Sequence, residues 1–514
     1  MSRLAQILAH ILAGAATLAL AAGPLAAQTG DAERGKAVYA KRCVLCHGIE
    51  GDADSPAAER LVPPPRDFTE GQYKFKTTAF DEDFPNDRDL FRMIRDGMPG
   101  TAMPGWSDML SEQSISDLVA YIKTFAGLEE EKPEKQVDYG SQIASSEDSI
   151  AKGRKLFTDR CVECHGEGGK GDAVKKLKDD AGNRTWPRNL TKPWTFRASN
   201  DPKDIFTRIS VGIPGTQMPS FADPKSKKKL SIEQRWHVAN FAASLAETER
   251  VVRPENTVIK AAKVEGEAPT APDDPRWTEV PPTTFLVLPQ IVAKERFFSP
   301  SNDTITVKAL YGPKSISLLL EWDDRTKSIP GDAKAKEIAG GEPFEDAVSV
   351  QLPVTIPDSM EKPYFLMGDA AHPVNLWRWQ SGTVERPEAV TLANGAGIEK
   401  IDGRDAAAAG LSAKGVYKDG TWRVVMRRAL QTGDGSTDIQ FAQGRFIPIA
   451  FALWDGSNGE TGTKHTLSTW YWLLLEPPMG VGPLVAALVV VVLLGGGEVW
   501  WARGAGNKKS DGEA

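Results

Sequence analysis

The stretch Cys43-Val44-Leu45-Cys46-His47 decides how this chain is read, and it returns as Cys161-Val162-Glu163-Cys164-His165. Together the two copies use all 4 cysteines of the 514 residues. Two cysteines separated by two residues and followed at once by a histidine have the spacing of covalent haem c. The thiols bond the vinyl groups and the adjacent imidazole reaches the iron. A pair of disulfides, or one zinc site shared between the two halves, would also use four cysteines. Neither gives a reason for a histidine after each second cysteine in a chain with only 6 His. Two haems c are therefore expected, one on Cys43 and Cys46 with His47 on the iron, the other on Cys161 and Cys164 with His165.

The flanks repeat as well. Gly35-Lys36-Ala37-Val38-Tyr39 leads into Cys43 and Gly153-Arg154-Lys155-Leu156-Phe157 into Cys161, each glycine 8 residues before its cysteine. Downstream, Gly97-Met98-Pro99-Gly100-Thr101-Ala102-Met103 matches Gly212-Ile213-Pro214-Gly215-Thr216-Gln217-Met218, and Met103 and Met218 follow the haem histidines by 56 and 53 residues. A thioether in that place closes the sixth iron position and raises the haem potential. Core packing is the ordinary role of methionine, but two Gly-Thr-x-Met-Pro loops at matched distances favour Met103 and Met218 as iron ligands. Met98 has Ile213 as its counterpart and is read as a neighbour. Each repeat closes with a helical period, through Ile115, Leu118, Val119, Ile122 and Phe125, and through Ile232, Trp236, Ala239 and Leu245. Ser231 with Gln234 has the form of a capping box.

Leading helix, haem motif, methionine loop and closing helix resemble class I cytochrome c domains, over 30–128 and 149–248. The resemblance implies two all-α domains whose first and last helices cross, with Gly35 and Gly153 at the close approach. Arg66, in Pro64-Pro65-Arg66-Asp67-Phe68, and Arg188, in Trp186-Pro187-Arg188-Asn189-Leu190, correspond; each is a candidate for a haem propionate or a solvated surface arginine.

Two charged or Pro/Ala-rich stretches, 129–148 and 249–276, read as linkers. Beyond them the period changes from helical to alternating. Ile316, Leu318, Leu320 and Trp322 form one strand pattern and Val348, Val350 and Leu352 another. Val416–Val424 reads as a hairpin around Asp419-Gly420, and Phe446–Trp454 and Thr469–Leu475 as further strands. Some 200 residues of short strands indicate an all-β sandwich. Within it ISLLLEWDD, DAVSVQLPV, PYFLMGDAAHPVNLWRW, FIPIAFALWDG and ETGTKHTLSTWYWL resemble the haem b domain of the ethylbenzene dehydrogenase gamma subunit, over 277–477. That resemblance implies one haem b held by methionine and lysine, and the matching positions are Met367 and Lys464. A lysine ligand must be deprotonated, which burial beside a metal favours. Residue chemistry alone would not select this pair, since His372 and His465 are nearby and are more usual ligands. The sandwich architecture also occurs in haem-free, sugar-binding modules.

At the N-terminus Arg3, the apolar run Leu4–Leu20 and a small-residue stretch to Ala27 read as a secretory signal, 1–27. Near the other end VGPLVAALVVVVLLGGGEVWW, 481–501, is long enough at ~1.5 Å per residue to span roughly 31 Å. It reads as a single transmembrane anchor, with Trp500 and Trp501 at the interface and a basic tail, 502–514, on the cytoplasmic side. The net charge of −7 without a Lys/Arg tract excludes nucleic acid as a partner. The expectation is a periplasmic electron-transfer subunit anchored in the bacterial inner membrane, carrying two haems c and one haem b. By resemblance its partners are a molybdenum-containing catalytic subunit of nitrate reductase or nitrite oxidoreductase kind and an iron–sulfur subunit, with a periplasmic redox carrier beyond. The alternatives are a dihaem enzyme (a peroxidase or thiosulfate dehydrogenase), which needs a displaceable iron ligand, and a dihaem cytochrome with a haem-free, ligand-binding sandwich.

Overall fold

The computed structural model describes residues 30–477 except 59–60, 62–63, 99–100, 102, 129–134, 181, 183, 248–256, 291–299 and 365–366. In the first repeat, Asp31 caps the helix Ala32–Arg42 by accepting from the Arg34 N–H. The helix runs into the haem motif, whose short turn Val44–His47 ends at Gly48 with φ 77°. Helices Asp87–Asp96 and Glu112–Thr124 complete the unit. The second repeat has the same order: Glu147–Arg160, Val162–His165, Pro202–Val211 and Ile232–Ser244. Ser231 and Gln234 make the expected capping box.

In each repeat the first helix crosses the last at the glycine singled out above. A Cβ at Gly35 would lie 2.0 Å from the Asp117 carbonyl oxygen, and one at Gly153 2.0 Å from that of His237. Only glycine permits so close a crossing. Around the crossings Tyr39, Leu118 and Ile122 are buried in the first core, and Phe206, Trp236 and Ala239 in the second.

The third region carries the strands where the alternation placed them: Ser315–Asp323, Ala347–Pro353, Phe446–Trp454 and Tyr471–Leu475. Ser412–Lys418 and Thr421–Ala429 form the hairpin, with both turn residues left-handed, Asp419 at φ 51° and Gly420 at φ 74°. Phe446–Trp454 belongs to two layers. Its first half pairs with Tyr471–Leu474 and its second half with Ala347–Gln351, so among the described residues the strands join into one sheet of 14. Ile316, Leu318, Leu320 and Trp322 of one layer face Val348, Val350, Trp377 and Trp379 of the other in a shared core. The outer side of Ser315–Asp323 is buried too, because Trp277 and Val280 cover Leu319.

The expected fold class and division of the chain need correcting in four respects. The second repeat is not all-α, for it contains the antiparallel pair Leu177–Lys178 and Arg184–Thr185. The β region is not all-β, for it holds the helix Ala333–Ala339, capped by Asp332. Within 249–276, read as a linker, Val258–Lys263 is a strand inserted in parallel between Tyr471–Leu475 and Thr304–Tyr311. Finally, among the described residues no helix is long and apolar enough to cross a membrane. The expected anchor, 481–501, and the leader, 1–27, lie outside the described residues.

The three parts touch through polar contacts. Arg92 pairs with Asp204 at 3.1 Å, and Arg208 donates to the Lys74 carbonyl at 3.2 Å, joining the two repeats. The second repeat meets the β region through Trp194 Nε1 to Asp323 at 2.9 Å, Lys192 Nζ to Thr421 at 2.9 Å and Arg184 to the Ile338 carbonyl at 2.8 Å.

Candidate haem-binding sites

Each CxxCH turn is aimed by one hydrogen bond. His47 Nδ1 lies 3.0 Å from the Arg66 carbonyl, and His165 Nδ1 lies 3.1 Å from the Arg188 carbonyl. An Nδ1–H donated to a carbonyl fixes the tautomer and leaves Nε2 with its lone pair for iron. Burial lowers the proton affinity of both imidazoles, which favours the neutral, ligating form. Burial also pushes the Cys43 and Cys161 thiols up to about 12. In the first repeat Phe68 stacks on His47 with ring centroids 4.4 Å apart.

The methionine loops are built alike. Gly97 and Gly212 end their helices at φ 71° and 75°, where a Cβ would strike the returning backbone at 2.4 and 2.7 Å. Thr101 Oγ1 donates to the Met98 carbonyl at 2.7 Å and accepts from the Met103 N–H at 3.2 Å; Thr216 does the same with Ile213 at 2.8 Å and Met218 at 3.2 Å. In each loop the threonine thus braces the methionine. In the second repeat it lines a cavity of about 600 Å³ together with Cys161, Cys164, His165 and Arg188, which fits a covalently held macrocycle.

That cavity is also rich in guanidinium. Arg188, Arg197 and Arg208 enter from the second repeat and Arg325 from the β region. Burial draws each below the usual arginine range, Arg197 to about 9 and Arg208 and Arg325 to about 10. The buried Arg208 Nε and Arg325 Nη1 have no hydrogen-bond partner. Such a cluster calls for anionic oxygen, and haem propionates supply it. Arg66, the other sequence candidate, meets Glu70 at 3.5 Å. Both arginines therefore contribute a backbone carbonyl to the histidine. Arg197, Arg208 and Arg325 were missed because nothing local in the sequence marks them; only the packing of the two parts gathers them.

Of the β-region candidates, Met367 packs on the outer face of one layer. Trp377, Trp379, Ile449, Phe451 and Leu453 point into the core, so strand alternation turns Leu376, Arg378, Ala450 and Ala452 outward. At one end Met367 packs with Val374, Leu376, Ala450 and Trp470. It is held at φ 61°, a left-handed conformation that costs a non-glycine residue about 1–3 kcal/mol and concentrates at ligand sites. Lys464 lies in the turn that follows Phe446–Trp454, where its Nζ donates to the Asn458 carbonyl at 3.2 Å. The floor of the outer face is small, with Ser349, Ala450 and Ala452 in adjacent register. Around it Gln351 Nε2, Arg378 Nε and Trp470 Nε1 are buried without hydrogen-bond partners. A shallow floor with orphaned polar atoms fits a flat ring with polar edges. Of the two histidines, His372 is exposed between Asp369 and Glu361. His465 is buried beside Trp454, and burial lowers it to about 4.

Comparison with known proteins agrees with this division. The cbb3-type cytochrome c oxidase subunit III family matches residues 30–122, the cytochrome c family 150–246, and the ethylbenzene dehydrogenase family 274–408 and 396–466. A protein of Haloferax mediterranei described as a respiratory nitrate reductase haem subunit is 28% identical over 45% of this chain and 76% of its own. The dimethylsulfide dehydrogenase subunit gamma of Rhodovulum sulfidophilum is 25% identical over 46% of this chain and 87% of its own. Among solved structures, the Kuenenia stuttgartiensis reducing HAO-like protein complex contains a chain 36% identical over 42% of this one and 97% of its own, with a TM-score of 0.38. The chain is a multidomain cytochrome, an electron-transfer protein that carries haem c. It consists of two cytochrome c domains followed by an ethylbenzene dehydrogenase gamma-type domain.

Proposed function

We propose that this chain is the haem subunit of a molybdenum oxidoreductase of nitrate reductase or nitrite oxidoreductase kind. It exchanges electrons with an iron–sulfur subunit at the β domain and with a redox carrier at the cytochrome c domains. The haem c ligands are His47 with Met103 and His165 with Met218. Cys43 and Cys46, and Cys161 and Cys164, hold the two macrocycles, and Met367 and Lys464 hold one haem b. The relatives named as nitrate reductase and dimethylsulfide dehydrogenase subunits support the partner class. The leader read in 1–27 and the outside assembly of haem c support a periplasmic location.

The observation that carries the relay reading is the matched construction of the two cytochrome sites. Each has a histidine with its tautomer set by a carbonyl and a methionine braced by a threonine, and in the second repeat the two line one cavity. An iron closed on both sides by protein changes oxidation state with little reorganisation and offers no site for substrate. This argues against a dihaem peroxidase. The contacts give the order β domain, second cytochrome, first cytochrome.

The test is a pyridine haemochrome assay on the purified chain, before and after acid–acetone extraction. Two covalent haems c and one extractable haem b are expected, and Lys464→Ala should alter the electron paramagnetic resonance signal of the extractable haem alone. A spectrum of haem c only would remove the third site and leave a dihaem cytochrome with a ligand-binding β domain.

A further inference from the structure

Between the proposed haem b ligand and the axial histidine of the second cytochrome lies a short chain of hydrogen bonds and covalent bonds. Lys464 Nζ donates to the Asn458 carbonyl at 3.2 Å. The side-chain oxygen of the same Asn458 accepts from Trp186 Nε1 at 3.0 Å. Trp186 is joined through Pro187 to Arg188, whose carbonyl lies 3.1 Å from His165 Nδ1. Every through-space gap in this sequence is a hydrogen bond. Its two ends, Lys464 and His165, are the proposed iron ligands of the two sites.

We infer that Asn458 and Trp186 form the electron route between the β domain and the second cytochrome c domain. The inference rests on the reading of Lys464 as a haem b ligand. Lys464 Nζ would hold the haem b iron while its hydrogen bond to the Asn458 carbonyl ties it to the route. His165 is matched in the same way, with Nε2 toward iron and Nδ1–H toward Arg188. Tunnelling decays exponentially with distance and is carried better by bonds and hydrogen bonds than by empty contacts, and each gap of this path is a hydrogen bond. With both haems bound, Lys464 and His165 would hold the two irons between which a single electron is exchanged, in either direction. No bond is made or broken and no proton is transferred.

The flanks of Trp186 fix its role further. The Arg184 guanidinium lies 3.7 Å from the indole centroid and that of Arg325 4.6 Å. Two cations on the ring oppose removal of an electron from it. The indole is therefore a bridge and not a site where a hole rests. Arg184 also reaches the Ala339 carbonyl at 3.1 Å and the Ile338 carbonyl at 2.8 Å. This holds the indole on Asn458, so Arg184 is a positioning residue for Trp186.

The experiment uses the full, haem-loaded chain. An electron is injected by a light pulse, and its redistribution between the haem b and haem c absorption bands is followed. Trp186→Leu and Asn458→Ala should each slow that internal step several-fold. Trp186→Phe, which keeps the ring and loses the N–H, should fall between them and the parent. Equilibrium potentials and paramagnetic resonance signals of all haems should not move. Lys170→Ala is the control, since it removes another contact between the same two domains, Lys170 to Asp419 at 3.2 Å; its internal rate should match the parent. An unchanged rate in Trp186→Leu overturns the route. So does equal slowing in Lys170→Ala, which would make docking the cause. If the chain holds no haem b, the proposed function fails with it; if haem b is present and the rate is indifferent to Trp186, only the route fails.

Discussion

Replacing Gly153 with alanine sets two known effects against each other. In an isolated helix the change is favourable, because alanine exceeds glycine by about 1 kcal/mol in helix propensity. In this fold the new Cβ would lie 2.0 Å from the His237 carbonyl oxygen and 2.7 Å from Phe241 Cβ, while ordinary contact begins at 3.4 Å. The obstacle is backbone, which cannot rotate aside, so the two helices must part by 3.4 − 2.0 = 1.4 Å. A gap of ~0.5–1 Å already forfeits a quarter to a half of each dispersion contact. Overpacking typically costs about 1–3 kcal/mol, and this contact belongs at the upper end. The net result is a loss of about 2 kcal/mol, which for a domain of this size lowers the melting temperature by roughly 10 °C. Soret circular dichroism of the ferric protein would follow the transition, with the haem staying covalently attached. Gly35→Ala should behave alike in the first domain, against the Asp117 carbonyl. A melting temperature equal to or above the parent would mean that helix propensity wins and that the crossing is not tight.

Met103→Ala and Met218→Ala should each abolish one methionine–iron charge-transfer band and lower that haem's potential in a redox titration, with both haems still attached; a parent that already contains high-spin haem with peroxidase turnover would refute the closed-site reading. The β domain should also lose stability as pH rises. Burial, followed by repulsion from Asp455, raises Glu460 to about 8, and the same two causes raise Asp346. In the unfolded chain such groups release their protons near pH ~4. The folded state therefore holds protons that the unfolded state has lost, so the stability they contribute is complete below that range and disappears as pH climbs through about 8. Each such group changes stability by about 1.4 kcal/mol per pH unit inside the window. Urea midpoints from tryptophan fluorescence should fall between pH 5 and pH 8, and Glu460→Gln should flatten the difference; a midpoint that rises with pH would reverse the assignment.

What the sequence determined by itself was whatever short-range pattern encodes. The two CxxCH motifs, the glycine eight residues before each, the Gly-Thr-x-Met loops and the closing helices are local signatures whose chemistry leaves few alternatives. The alternation of Ile316 to Trp322 and of Val348 to Leu352, and the Asp419-Gly420 turn, placed the strands for the same reason, because side-chain direction along a strand has a period of two. The shared use of Phe446–Trp454 by two layers was not legible, nor was the parallel insertion of Val258–Lys263, since pairing partners distant in sequence leave no mark on composition. Arg66 and Arg188 were found for their guanidiniums; the tertiary structure also uses their carbonyls to aim His47 and His165. The arginine cluster over the second haem cavity and the Trp186–Asn458 contact exist only where two domains meet. Local chemistry dictates which residues can bind haem; the packing of domains decides which buried charges face it and how one site reaches the next.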